Sequence, residues 1–243
     1  EDKIVYKGVV FNEMKGVFSD PESWVDRQLA HSLFPSTTYG YESGGDPKNI
    51  PDLTYEDFKE FHKRHYHPSN SRLFLYGDGD TNEYLQFLNE KYLKDFDRIE
   101  INTSIQHQRS FRKPKRKTFS YPVSSQESVE KKTYVLQGIK LDKAVNYEHC
   151  LGFSILSHLL LGTSASPLRK ALIDSQLGSE IIGGGFDDNR ADTLFAVGLK
   201  GTETEHEEKI LGIINSTLKG LVENGIEEDM VRSAVNSVDF RLR

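Results

Sequence analysis

The pattern of hydrophobic and polar positions in residues 129–243 predicts a sheet with helices packed on it. Alternating apolar residues in KKTYVLQGIKL predict a strand, and SEIIGGGFDD and TLFAVGLKG predict two more strands joined by a polar turn. Two helices are predicted after the first strand, and two follow the third strand, separated at Gly225. The order β-α-α-β-β-α-α is typical of an α+β domain, in which helices cover one face of a mostly antiparallel sheet.

Residues 1–102 show a similar but shorter alternation. Helical periodicity predicts helices over residues 4–18, in LTYEDFKEFHKRHYHP and in TNEYLQFLNEKYLKDF, and a further helix that begins after Ser19 or Asp20. SRLFLYGDG predicts a strand. This order looks like the back half of the layout in residues 129–243. We therefore expect two α+β units, both two-layer sandwiches of mostly antiparallel sheet with helices on one face, the first of them truncated.

A stretch without helical periodicity separates the two predicted domains, 1–102 and 129–243. This linker, residues 103–128, contains the basic run RKPKRK at 112–117. A solvated linker or an edge strand fits the run better than a polyanion-binding or membrane-surface patch, because it is short and isolated in an acidic chain. The net charge of −6 argues against nucleic-acid binding, and no apolar run is long enough to predict a membrane span.

One glutamate lies in the apolar stripe of the first predicted helix. Val9, Val10 and Met14 recur at helical spacing, and Glu13 falls on the same side. Burying a lone carboxylate costs several kcal/mol, so such a group is normally paired, protonated or bound to a metal. The residues alone leave open a glutamate at the helix edge or one held in a salt bridge.

Three other groups of residues are candidates for chemistry. His62 and His65 share a helix face near His67, but no Cys, Asp or Glu nearby completes a metal site, which favours a polar helix end. Cys150 is the single cysteine and lies in an apolar run, which predicts a buried and inert thiol. Three glycines in a predicted strand, 183–185, indicate a bulge or a place where another backbone approaches closely.

Several stretches together resemble the pitrilysin/insulysin superfamily of zinc peptidases, the inverzincins, and within it the presequence protease and falcilysin branch. The stretches are KGVVFNEMKG, SGGDPKNIPDLTYEDFKEFHKRHYHPSN with the following YG, and SPLRKALIDSQLGSEIIGGGF. The resemblance extends over nearly the whole chain. It implies a metalloendopeptidase that uses Zn²⁺ and degrades short unfolded peptides, such as cleaved targeting sequences, in a mitochondrion or plastid.

The resemblance also assigns roles to residues. Members of the superfamily bind zinc through two histidines of an HxxEH motif, whose glutamate is the general base, and through a later glutamate that corresponds to Glu13. The HxxEH motif does not occur in these residues. We therefore expect a fragment that lacks N-terminal and C-terminal parts of its own chain, and that is inactive alone. The resemblance implies that Gly183, Gly184 and Gly185 anchor the end of a peptide substrate by strand addition.

A second hypothesis is a non-catalytic homologue, of the kind that keeps this fold and acts as a structural or partner subunit. The glutamate in the intact NEMKG stretch, Glu13, argues against it.

Overall fold

The structure is a computed structural model that describes residues 6–243. Residues 4 and 5 of the first predicted helix lie outside the described residues. The described chain contains eight α-helices: α1 (Val9–Val17), α2 (Pro21–Leu33), α3 (Tyr55–His65), α4 (Thr81–Leu88), α5 (Tyr147–Leu161), α6 (Pro167–Asp174), α7 (Glu207–Asn224) and α8 (Glu228–Leu242). Helix α4 continues into a π-helical turn, Asn89–Leu93. None of the helices within residues 6–243 combines the length and the hydrophobicity that a bilayer crossing requires.

Side-chain caps fix the beginning of two helices in the first part of the chain. The Asp20 carboxylate accepts a hydrogen bond from the Ser23 amide at 2.7 Å, and Pro21 occupies the first turn of α2. Thr54 accepts a hydrogen bond from the Asp57 amide at the start of α3. The starts of both helices were therefore predicted correctly from the sequence. Helix α2 is a separate helix that begins after Asp20.

The three strands form one antiparallel sheet. Strands β1 (Thr133–Lys143), β2 (Glu180–Asp187) and β3 (Asp192–Thr202) lie in the order β1-β3-β2, so β2 is an edge strand. The β2–β3 pair is a hairpin, and β1 pairs with the other side of β3. The predicted α+β class is confirmed by this arrangement.

The two faces of the sheet carry different cores, because successive side chains of a strand point to opposite faces. Val197 and Leu199 of β3 belong to a cluster that includes residues of α5, α6, α7 and α8. Leu194 and Ala196, on the opposite face, pack with Leu33 and Phe34 at the end of α2. Helices α5 to α8 thus cover one face, and α2 covers the other.

The predicted strand at residues 71–79 does not form. The backbone from Ser71 to Tyr76 has no ladder partner among residues 6–243, and Phe74 and Tyr76 are 88% and 96% exposed. A strand needs a neighbouring strand for its backbone hydrogen bonds, and the described chain supplies none at this place. The truncated sandwich expected for residues 1–102 therefore has helices but no sheet in the described residues.

Residues 103–128 contain neither helix nor strand and lie along the second half of the molecule. The Gln108 amide donates to Asp192 at the start of β3. Arg116, in the basic run, forms an ion pair with Glu207 of α7 at 2.6 Å. The linker is therefore attached to the second half at both of these points.

Candidate functional site

Glu13 lies on a face of α1 that nothing in the described chain covers. Val9 and Val10 are 85% and 55% exposed, and Glu13 is exposed as well. Met14 is the buried residue of α1, and its Sδ atom would lie 2.2 Å from a Cβ placed on Gly44. Of the readings that the sequence left open, this structure has Glu13 exposed, because only the Met14 side of α1 finds a packing partner.

The described residues do not form a zinc site by themselves. No group of three His, Cys, Asp or Glu side chains within residues 6–243 is arranged to hold a metal ion. A catalytic zinc needs three protein ligands, and Glu13 can supply one. His62 stacks on Tyr66 with ring centroids 4.5 Å apart, and His67 Nδ1 accepts a hydrogen bond from the Ser69 amide.

The single cysteine is placed as its sequence environment predicts. Cys150 is 8% exposed near the start of α5, and its Sγ lies 3.5 Å from the carbonyl oxygen of Ala144. Burial raises the pKa of the thiol, which keeps it protonated and unreactive.

The glycines of β2 form a β-bulge on the edge strand. Ile182 pairs with Gly198 and Gly185 with Ala196, so Gly183 and Gly184 together oppose the one residue Val197. The φ angles of the three glycines are 98°, 69° and 80°, a region that glycine enters without strain. The sequence prediction of a bulge is confirmed.

The three glycines differ in what surrounds them. A Cβ on Gly183 would lie 2.6 Å from the carbonyl carbon of Ala196, and one on Gly185 would lie 2.3 Å from Ser157 Oγ. A Cβ on Gly184 would meet no atom within 4 Å. Gly183 and Gly185 therefore serve close packing within the sheet and against α5, while Gly184 faces open space.

Gly184 lies at a groove between α2 and β2. The groove has a volume of about 450 Å³ and brings residues of the first part of the chain opposite the edge strand. Its lining consists of Glu22, Val25, Asp26, Leu29 and Ala30 of α2, Tyr134 of β1, Ile181, Ile182, Gly183, Gly184, Phe186 and Asp187 of β2, and Arg190 and Leu194. Its lining combines apolar side chains with a few charged groups, a common composition for ligand binding.

The charged groups of the groove leave it net negative. Glu22, Asp26 and Asp187 contribute three carboxylates; Arg190 pairs with Asp187 and Lys200 with Glu22, which leaves one carboxylate in excess among these described groups. Burial would raise the pKa of Asp187, but the Asn189 amide and Arg190 hold it below its usual range. Burial, and then the neighbouring Glu22, raise the pKa of Asp26. The groove therefore suits a positively charged ligand.

Comparison with known proteins identifies the family. The family described as peptidase M16 inactive domain matches residues 52–238, a range that includes α3, α4, the linker and the whole sheet. The chain belongs to the peptidase M16 family. Over 243 residues this M16 chain is 44% identical to protein HypA of Clostridium perfringens, with all of the chain and 25% of HypA covered.

Two further relatives of the M16 chain are named as presequence proteases. It is 42% identical to presequence protease 1, chloroplastic/mitochondrial, of Arabidopsis thaliana, and the match covers all of the chain and 23% of that protein. It is 38% identical to the mitochondrial presequence protease of Xenopus laevis, with 99% of the chain and 24% of that protein covered. The chain thus spans about a quarter of the length of these relatives.

Solved structures share the fold of the M16 chain. The peptidase M16 inactive domain from Pseudomonas fluorescens superposes with a TM-score of 0.68 at 18% identity, covering 95% of this chain and 54% of that one. A protease from Helicobacter pylori gives a TM-score of 0.64 at 16% identity, covering 95% of this chain and 55% of that one. At these identities the likeness concerns the fold alone.

The sequence identified β2, one wall of the groove, but not α2, the other wall. The glycines of β2 marked the edge strand, but nothing in the periodicity of α2 says that it packs on the sheet. The signal was Gly138 in β1, where a Cβ would lie 2.3 Å from Leu29 Cδ1. A glycine inside a predicted strand marks a close approach, which here is made by α2.

Proposed function

We propose that this M16 chain is part of a zinc metalloendopeptidase that degrades short unfolded peptides, such as cleaved targeting sequences. In this proposal β2 anchors the substrate, and Glu13 is one zinc ligand of the whole protein. The observation that carries the anchoring role is the bulged edge strand, which presents backbone at Gly184 beside a groove. The names of the plant and frog relatives, both presequence proteases, support the substrate class.

Strand addition suits a peptidase of broad substrate range. A peptide that pairs with the edge of a sheet is held by its backbone, so affinity depends little on its sequence. An exposed edge is normally protected by charged residues or proline. In β2 the charged residues lie at the two ends, where Glu180 pairs with Lys200 and Asp187 with Arg190, and Gly184 between them carries no side chain that would block a second backbone.

The charge of the groove supports the same substrate class. Organellar targeting peptides are rich in arginine and poor in acidic residues. Asp26 on α2 would face such a peptide with negative charge, whereas Glu22 is paired with Lys200 and Asp187 with Arg190. An organellar location is supported by the plant and frog names, whereas HypA, at 44% identity, is bacterial.

The zinc-ligand role of Glu13 is tested in the whole protein. Glu13→Gln keeps the size of the side chain and removes its charge, so zinc affinity and peptide hydrolysis are expected to fall together while the fold stays stable. Glu56→Gln, at an exposed carboxylate of α3, is the matched control and should keep both. Normal turnover and zinc content in Glu13→Gln would contradict the role. Absence of chelator-sensitive hydrolysis in the unmodified whole protein would favour a non-catalytic subunit.

The anchoring role of the edge strand is tested by filling the open space at Gly184. Asn tolerates a positive φ better than other side chains, so Gly184→Asn blocks the edge with little strain. We expect a higher KM for long peptides, an unchanged KM for short ones, and an unchanged chemical step. Gly212→Asn is the control, because it adds the same side chain in open space on α7, away from the groove. An equal change of KM for long peptides in both variants would contradict the anchoring role.

A further inference from the structure

A buried carboxylate lies where the linker meets the sheet. Asp192, the first residue of β3, is 2% exposed. Its Oδ2 atom accepts a hydrogen bond from the Gln108 amide at 2.7 Å, and its Oδ1 atom lies 3.0 Å from His107 Nδ1 and 3.4 Å from Lys140 Nζ. A buried charge is tolerated only when such partners compensate the lost hydration.

The contacts of this carboxylate continue to the segment that follows α2. The Gln108 side chain is also buried, and its Oε1 atom accepts a hydrogen bond from the Ser36 amide at 3.0 Å. Beside it, the Ala191 amide donates to the Tyr39 hydroxyl at 3.0 Å. Two neighbouring residues at the start of β3 therefore hold the turn at residues 36–39.

This turn is close in sequence to one wall of the groove. Helix α2 ends at Leu33, three residues before Ser36, and its side chains Glu22, Asp26 and Leu29 line the groove. The other wall, β2, pairs directly with β3, which begins at Asp192. A path of hydrogen bonds from Asp192 through Gln108 to Ser36 thus connects the two walls.

We propose that Asp192 is a positioning residue, which holds α2 at the distance from β2 that forms the groove. It acts through Gln108 and the turn at residues 36–39, and touches no part of the groove's ligand. Its consequence for peptide binding rests on the function proposed above, whereas its effect on the turn does not.

The geometry explains why a carboxylate is needed. Both oxygens of Asp192 face donors, because Gln108 N–H is on one side and His107 and Lys140 are on the other. Whichever way the amide of an Asn were turned, its NH₂ group would face a donor. Burial would raise the pKa of Asp192, but the Gln108 amide, His107 and Lys140 hold it below its usual range, so the carboxylate is ionised at neutral pH.

Amide hydrogen exchange of the chain tests the proposal by residue. In Asp192→Asn we expect exchange at Gln108 and Ser36 to rise by roughly 10- to 100-fold, the loss expected for a hydrogen bond to a charged group. Exchange at Ile214, in the core of α7, should change much less. Asp188→Asn, an exposed carboxylate of the same hairpin, should leave all three unchanged. Unchanged exchange at Ser36, or an equal rise at Ile214, would overturn the proposal.

A further variant, Gln108→Ala, keeps the test decisive if Asp192→Asn folds poorly. Gln108→Ala should raise exchange at Ser36 and leave the Gln108 position protected, because its backbone amide still donates to Asp192. If the contacts act in series, adding Asp192→Asn to Gln108→Ala should raise exchange at Ser36 no further. An additive effect would show that Asp192 and Gln108 act on Ser36 independently, and would overturn the path.

Binding of a long, unstructured, Arg- and Ser-rich peptide gives the second readout. Asp192→Asn and Gln108→Ala should each weaken binding several-fold, and Asp188→Asn should not. Unchanged affinity in both variants, with faster exchange at Ser36, would overturn the link to the groove. If the unmodified chain binds no peptide, the proposed anchoring function fails, and exchange at Ser36 still decides whether Asp192 holds the turn.

Discussion

Residues 6–102 and residues 129–243 have similar hydrophobic patterns and very different burial. In the second region the periodic apolar positions are buried, as at Ile210 of α7, which is 0% exposed. In the first region Phe58 and Phe61 of α3 follow the same helical periodicity, and they are 67% and 58% exposed. The hydrophobic pattern therefore predicts which face of a helix is apolar, but not whether other residues of the described chain pack on that face.

Helix α2 is the exception in the first region, and it shows what burial requires. Leu29 and Leu33 pack against β1 at Gly138, where the missing side chain lets the helix approach the strand. The part of the first region that is well packed is thus the part that lies on the sheet of the second. Since the groove lies at this contact, the proposed substrate anchor depends on both regions.

The largest expected difference between the two regions concerns core truncation. Ile210→Ala should lower the free energy of unfolding by about 2–5 kcal/mol, because it leaves a cavity in the core. Phe58→Ala, on the uncovered face of α3, should change it by less than about 0.5 kcal/mol. Denaturant titration of both variants measures the difference. Equal losses would show that the face of α3 is covered in solution.

A second prediction concerns the contact between the regions. Gly138→Val places a side chain where Leu29 now lies and should cost about 1–3 kcal/mol, because α2 must move away from β1. Gly212→Ala is the control, since it adds a Cβ in open space on α7 and should stabilise the chain by about 0.5–1 kcal/mol. If Gly138→Val unfolds with the same midpoint as the unmodified chain, α2 does not dock on the sheet.

The third prediction is a pH dependence that comes from the lowered pKa of Asp192. Because the folded pKa lies below the unfolded value of about 3.9, its contribution is complete above that pH and is lost as pH falls through the folded pKa. Thermal unfolding between about pH 6 and pH 3 should show stability falling on acidification, with a smaller slope in Asp192→Asn. An equal slope in both proteins would contradict this assignment.

The smallest expected effect concerns a partly exposed ion pair across the two regions. Lys200 of β3 contacts Glu22 of α2 at 2.5 Å and Glu180 of β2 at 2.7 Å, and both carboxylates raise the pKa of the lysine. Lys200→Met should slightly lower the free energy of unfolding, because α2 loses a contact to the sheet. The difference in this free energy from the unmodified chain should vanish at salt concentrations on the order of 1 M. A difference that persists in high salt would point to lost packing of the lysine's methylenes.

The sequence predicted local structure wherever local chemistry decides it. The Asp20 and Thr54 caps, the end of α7 at Gly225 and the bulge of β2 all depend on residues within a few positions. The extended segment containing Phe74 was predicted wrongly as a strand, because strand pairing needs partners that are distant in sequence. The hydrogen bond between Asp192 and Gln108 was not predicted for the same reason, since the two residues are 84 positions apart.

The most direct test of the account is to ask whether this chain binds an unfolded peptide in the presence of a metal chelator. The proposed substrate anchor lies at β2 and α2 and needs no zinc, so NMR shifts should concentrate at Ile181–Phe186 and at Glu22–Leu29. The same titration of Gly184→Asn should show weaker binding, and that of Gly212→Asn unchanged binding. Shifts confined to other surfaces, or an equal response of all three proteins, would contradict the claim that the bulged edge strand anchors substrate.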